Sequence, residues 1–199
     1  MGGALHKTAR AAGQKESRLP AFPENDRSLI EHLHQLVFRE EECRGAIEAA
    51  LLRAVARFSE AGFTKSYSSR TIPLDSFRSG LPESLRDRVR LCRVFAIKAG
   101  QRAPHEERHR NSIQRLVSFR GGGIVHRALA DVSGGPYVAR SVFSPDSGNG
   151  KDILQCWDVM PENTWHYPQA QPGQHDWYGV AFHSAGADQI EDEYVPCTT

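Results

Sequence analysis

From Arg88 onward the chain is a succession of short segments, apolar or alternating apolar and polar, broken by Gly, Pro, Asn and Asp, with no helical run between them. This pattern constrains the fold more than any other feature. Candidate strands are 89–98, 113–120, 123–130, 136–143, 153–159 and 176–184. Strands this short bury an apolar face only by facing a second sheet or closing on themselves, so a sandwich or barrel is expected. At 199 residues there is room for one sizeable core. The expected fold class is mainly β, with a barrel from about 88 to 185.

The preceding stretch has a different period. Leu29, Leu33 and Leu36 recur on one helical face, and Ser28 and Glu31 have capping-box spacing. Cys43, Ile47, Leu51, Val55 and Phe58, joined by Ala50 and Ala54, form a second apolar stripe, with Arg53, Arg57 and Glu60 on the water side. Gly62 is a reasonable stop. Helices are therefore expected mainly over 27–62. Residues 1–25 are rich in Gly, Ala, Lys, Arg and Pro without apolar periodicity and read as a mobile arm. The expected division is arm 1–25, helical section 26–62 packed on the barrel, and β-barrel domain 63–199.

Charge and cysteine content narrow the function classes. With 25 Lys+Arg against 24 Asp+Glu, overall basicity offers no grip on nucleic acid. No apolar run approaches the roughly 18 residues needed to cross a bilayer, and the first residues lack the apolar core of a signal peptide. A cytoplasmic protein with neither nucleic-acid nor membrane partners is expected. Cys43, Cys92, Cys156 and Cys197 form no CxxC pair and read as reduced structural thiols.

Two stretches carry chemistry. Pro161-Glu162-Asn163-Thr164-Trp165-His166 resembles the second cupin motif, Pro-x-Gly-x-x-His. Asn163 replaces the Gly, and Asn also tolerates the left-handed turn. Ala170 stands where the family has Asn. Upstream, the first cupin motif places two histidines one residue apart before a Glu, and six residues separate that Glu from a Gly. Here Glu107, His109 and Gln114 occupy the His, His and Glu positions, and Gly121 follows Gln114 after six residues. The first motif is thus degenerate, with His105 as an alternative donor and Asn111 as another. The resemblance implies a cupin-type jelly-roll barrel with an N-terminal helical section. It also implies one divalent metal held by His109, His166 and Gln114, with His105 or Glu107 completing the set. Iron(II) is the expected ion, because two imidazoles and a carboxylate suit it.

The organisation over roughly 29–190 is similar to that of the cysteine dioxygenase (thiol dioxygenase) family, in which helices precede a degenerate cupin barrel. In that family a Tyr-rich segment with an Arg grips the substrate carboxylate; Tyr67-Ser68-Ser69-Arg70 looks similar, with one extra residue between Tyr and Arg. Gly179, Ala181 and His183 alternate along the last strand, and His183 falls at the family's Tyr position beside the metal. The resemblance implies a non-haem iron dioxygenase acting with oxygen on a small, thiol-carboxylate type of substrate. Arg70 and Tyr67 would then bind substrate, and His183 would act as acid/base. Two other classes fit the same motifs: a non-catalytic small-molecule-binding cupin, and a zinc, nickel or manganese cupin doing isomerase, lyase or cyclase chemistry. Three further features have simpler readings. His126 reads as a partnered barrel histidine, the run His105 to Arg110 also reads as a solvated loop, and the acidic stretch Asp188 to Glu193 reads as solvated.

Overall fold

The computed structural model describes residues 24–147, 152–173 and 175–197; most of the expected arm, 1–25, lies outside them. Among the described residues ten strands form two antiparallel sheets. The strands are β1 (Tyr67–Ile72), β2 (Leu91–Ile97), β3 (His105–His109), β4 (Gln114–Arg120), β5 (Gly122–Ala128), β6 (Tyr137–Phe143), β7 (Trp157–Met160), β8 (His166–Ala170), β9 (Trp177–His183) and β10 (Asp192–Pro196). The first sheet runs β1-β2-β9-β4-β7 and the second β10-β3-β8-β5-β6. Without the edge strands β1 and β10, the remaining strands β2-β9-β4-β7 and β3-β8-β5-β6 have the order of a jelly roll. The fold is mainly β, a jelly-roll barrel preceded by a helical section.

Apart from the edge strand β1, the strands of the first sheet are buried on both faces. One face meets helices α1 (Glu24–Phe38) and α2 (Glu41–Ala56). Leu29, Leu33, Ile47 and Ala50 from the helices join Val94, Val117 and Phe182 from the sheet in one core. The other face points into the barrel, where Phe95, Leu116, Val125, Met160 and Trp177 form a second core. Gly179 is required there: a Cβ would sit 2.1 Å from the Phe95 ring. Among the described residues no helix is long and apolar enough to cross a membrane, and none of the four cysteines forms a disulfide.

The strands expected at 89–98, 113–120, 123–130, 136–143 and 176–184 correspond to β2, β4, β5, β6 and β9. Four strands were not expected: β1, β3, β8 and β10. β3 (HEERH) has no apolar residue and β10 (DEYVP) no alternating apolar pattern; ion pairing and hydrogen bonding help to hold them, which hydropathy does not register. Where a strand was expected from 153, a short helix α5 (Ile153–Cys156) comes first, because Asp152 and Gln155 form a capping box. The segment before β2 holds two further short helices, α3 (Asp75–Gly80) and α4 (Glu83–Arg86). Ser28 does not cap α1. The helix begins a turn earlier, so Ser28 lies inside it and its carbonyl accepts from His32.

One buried ion pair ties the helices to the barrel. Asp26 in α1 accepts from Arg115 Nε at 3.0 Å and Nη2 at 2.6 Å, and also pairs with Arg88. Arg115 in β4 is 1% exposed and Asp26 3%. A single partner removed from such a pair leaves a buried charge uncompensated, which costs about 3–5 kcal/mol. Asp26→Ala is therefore expected to destabilise the protein by about that amount in chemical denaturation. A loss under roughly 1 kcal/mol, the value of an exposed pair, would contradict the role.

Candidate metal centre

The pleat of β3 decides which of its side chains enter the barrel. With a period of two, His105, Glu107 and His109 share one face, and Glu106 and Arg108 take the other. β3 lies between β8 and β10. Glu107 stands opposite His166 on one side and Tyr194 on the other, and His109 stands opposite Asp192. The turn before β8 aims His166. Asn163 sits at φ +60°, the left-handed conformation expected of it, and its N–H donates to the His109 carbonyl at 2.9 Å. The donor atoms of Glu107, His109 and His166 consequently lie within 4.8 Å of one another.

Both triad imidazoles are oriented through Nδ1. His109 Nδ1–H donates to Asp192 Oδ1 at 2.6 Å, and His166 Nδ1–H donates to the Thr164 carbonyl at 2.9 Å. Each ring presents a buried Nε2 with no hydrogen-bond partner. His166 Nε2 is 3.3 Å from Glu107 Oε1, within ion-pair range but outside hydrogen-bond geometry. The opposite wall comes from the first sheet, where Gln114 faces His183 across β4 and β9. Gln114 Oε1 and both ring nitrogens of His183 are also buried without partners. The His183 ring lies 4.8 Å from that of His109, centroid to centroid. An unsatisfied buried polar atom costs about 1–3 kcal/mol, so this many convergent lone pairs call for a cation. Two imidazole nitrogens and a carboxylate, with an amide oxygen and a third imidazole nearby, fit a mononuclear divalent metal.

The electrostatics agree with that donor set. Burial pushes the Glu107 carboxyl up, but the contact with His166 and the electrostatic influence of the neighbouring His166, His109 and His183 rings outweigh it and bring its pKa to about 2. Burial, followed by His109 and Arg93, holds His183 well below 6.5, so its ring is neutral at pH 7. Burial acts to raise Asp192, yet its hydrogen bond to His109 and the charges of His109 and Arg93 hold it well below the usual carboxylate range.

A cavity of about 300 Å³ opens onto Glu107, Gln114 and His183. Tyr67, Arg93, Phe95 and Tyr194 are among its walls. Arg70 is not: it is exposed, and three residues from Tyr67 in a strand is the opposite face. The expected placement of Arg70 in the substrate site is thus corrected. The extra residue between Tyr67 and Arg70 already signalled the inversion. Arg93, opposite Thr71 in the register, is the cavity's arginine. His105 lies on the cavity-facing side of β3 but is exposed at its end, its ring 6.3 Å from Tyr194 and outside the triad. His126 is partnered, 2.9 Å from Gln169 Oε1. The acidic stretch read as solvated instead ends in β10, where Asp192 accepts from Arg93 at 3.1 Å and from Tyr194 Oη at 3.0 Å. The alternation Asp192-x-Tyr194 was its only visible signal.

The Glu107 shift carries a pH dependence. Its folded pKa, about 2, is below the ordinary 4.5, so its stabilising contribution is complete above 4.5 and disappears as pH falls through about 2. Metal-free protein should lose stability over that window, and Glu107→Gln should lose less. Equal slopes for the two proteins in denaturation titrations would show that the shift is absent.

No family model and no curated protein matches the sequence. Solved structures are similar in fold. Recombinant oxalate oxidase in complex with glycolate is 14% identical, with a TM-score of 0.46 over 66% of this chain and 57% of that one. Vicilin from Corylus avellana (hazelnut) is 12% identical, with a TM-score of 0.45 over 67% of this chain and 31% of that one. A mutant of Bacillus subtilis oxalate decarboxylase is 10% identical, with a TM-score of 0.45 over 67% of this chain and 29% of that one. This chain therefore spans less than two thirds of each of these structures, and at such identities the likeness is one of fold alone.

Proposed function

We propose that the protein is a mononuclear non-haem iron(II) oxygenase acting on a small anionic molecule. The observation that carries the proposal is the triad of Glu107, His109 and His166, whose unpartnered Nε2 atoms converge with a carboxylate at a cavity. Two histidines and one carboxylate with open positions are the donor set suited to ferrous oxygenases. Iron(II) bound there would supply the one-electron chemistry that dioxygen needs to react with an organic substrate.

The surrounding residues define what the substrate can be. The cavity, about 300 Å³, lies at the small end of ligand pockets, so it suits a molecule of amino-acid size. Glu107 and Asp192 contribute two negative charges, Arg93 one positive and the divalent ion two positive. The balance, one positive charge, is neutralised by a monoanion. A thiol-carboxylate meets that description. The carboxylate contact that the thiol dioxygenase resemblance assigns to Arg70 falls here to Arg93. Tyr67 borders the same space, and burial together with the Glu107 charge keeps its phenol protonated and able to donate. His183, neutral and facing the cavity, is placed to accept a substrate proton.

Protein purified without chelator or histidine tag is expected to carry one equivalent of iron, lost in His166→Ala while far-UV circular dichroism is retained. Iron-reconstituted protein is expected to consume oxygen with at least one of cysteine, cysteamine, 3-mercaptopropionate, catechols or 2-hydroxy acids. Arg93→Met should raise KM for an anionic substrate roughly 10- to 100-fold, the value of a charged hydrogen bond. Arg70→Ala should leave kcat and KM within about twofold, since surface changes away from a site are near neutral. Confirmed iron with no oxygen consumption across the panel would rule out the oxygenase reading. Stoichiometric zinc or nickel would favour isomerase, lyase or cyclase chemistry, and no metal would favour a binding protein.

A further inference from the structure

The jelly roll is complete without β10, yet β10 carries the groups that touch the centre most closely from outside the triad. We propose that Asp192 is the positioning residue of this site, fixing His109 with its proton on Nδ1 and its Nε2 lone pair aimed at the metal. The C-terminal strand would then be part of the metal centre rather than an edge cover. The inference rests on the reading of Glu107, His109 and His166 as ligands.

Three observations support it. First, Asp192 Oδ1 is 2.6 Å from His109 Nδ1. A carboxylate only accepts, so the proton sits on Nδ1 and Nε2 is free. Second, the carboxylate is itself held. Its Oδ2 accepts from Arg93 Nη1 and Nη2, both at 3.1 Å, and from Tyr194 Oη at 3.0 Å. Its side chain is 13% exposed, so the contact is largely withdrawn from water. Third, the two triad histidines solve the same problem in different ways. His166 uses the backbone carbonyl of Thr164, which no substitution removes, whereas His109 depends on a side chain. His183 has neither, and both its nitrogens are unpartnered. The ring-orienting hydrogen bonds thus single out His109 and His166 as the oriented donors and leave His183 without one. Carboxylate partners of this type raise ligand basicity and fix the tautomer, and their loss typically weakens metal binding 10- to 100-fold.

The strand has a second attachment that does not involve the centre. Glu193, on the opposite face of β10, pairs with Arg108 and Arg110. This separates positioning from docking. The test uses the full chain, Asp192→Asn, Glu193→Gln and the conservative Asp192→Glu, with cobalt(II) as the probe. Two readouts are needed. Long-range ¹H–¹⁵N correlation of the histidine rings in metal-free protein reports the His109 tautomer. Chelator competition and the visible cobalt(II) spectrum report affinity and ligand field.

In the unsubstituted protein His109 is expected as the Nδ1–H tautomer. Asp192→Asn should lose that single tautomer and bind cobalt(II) 10- to 100-fold more weakly with an altered spectrum. Asp192→Glu should recover part of both, and Glu193→Gln should remain within about twofold at an unchanged spectrum. His109 found as the Nε2–H tautomer would overturn the inference even if metal binds. Equal losses in Asp192→Asn and Glu193→Gln would reduce Asp192 to a strand anchor and also overturn it. A correct tautomer in a protein that binds no cobalt(II) would instead overturn the metal reading, and the role of Asp192 as metal positioner with it.

Discussion

The site depends on the confinement of β3 between β8 and β10. All five residues of His105–His109 are charged or titratable, on both faces of the pleat. Such a segment gains nothing from hydrophobic burial and would not hold a strand conformation alone. It does so here because each face has specific partners. Arg108 meets Glu193 outside the barrel, while Glu107 and His109 meet His166 and Asp192 inside. The same pairing that makes β3 a strand brings its carboxylate and imidazole to His166.

This arrangement also explains why the barrel interior is divided. Phe95, Leu116, Val125 and Trp177 fill one part as an apolar core, and Trp177 Nε1 donates to Ser118 at 3.0 Å so that its one polar atom is satisfied. At the other part the rule that buried polar groups find partners is broken: of the six unpartnered buried side-chain atoms among the described residues, five belong to His109, Gln114, His166 and His183, and the sixth is Ser68 Oγ. Elsewhere buried charges are paired: Arg115 with Asp26, and Arg127 with Asp158. Gathering five such atoms around one cavity is the mark of a ligand-binding centre rather than of poor packing.

Much of this was legible in the sequence, and the exceptions have physical causes. Alternating strands such as β4 and β9 and the amphipathic helices announce themselves through hydropathy. His166 was readable because a turn with a left-handed residue leaves a local signature, and Asn163 adopts that conformation. The positions of His109 and Glu107 were readable only through the resemblance to the first cupin motif, which left His105 as an alternative to Glu107. Arg93 and Asp192 were not: they meet across 99 residues, through pairings of β2 with β9 and of β10 with β3 that no local pattern encodes. Arg70 shows the converse error, in which a short motif matched by composition falls on the wrong face because one residue shifts a strand by half its period.

The central claim is that Glu107, His109 and His166 hold one metal ion. Anomalous diffraction from crystals grown anaerobically with iron(II) tests it most directly. The account predicts a single strong peak within bonding distance of His109 Nε2, His166 Nε2 and a Glu107 carboxylate oxygen. An iron-loaded crystal with no peak there, or with its peak at other residues, would contradict it.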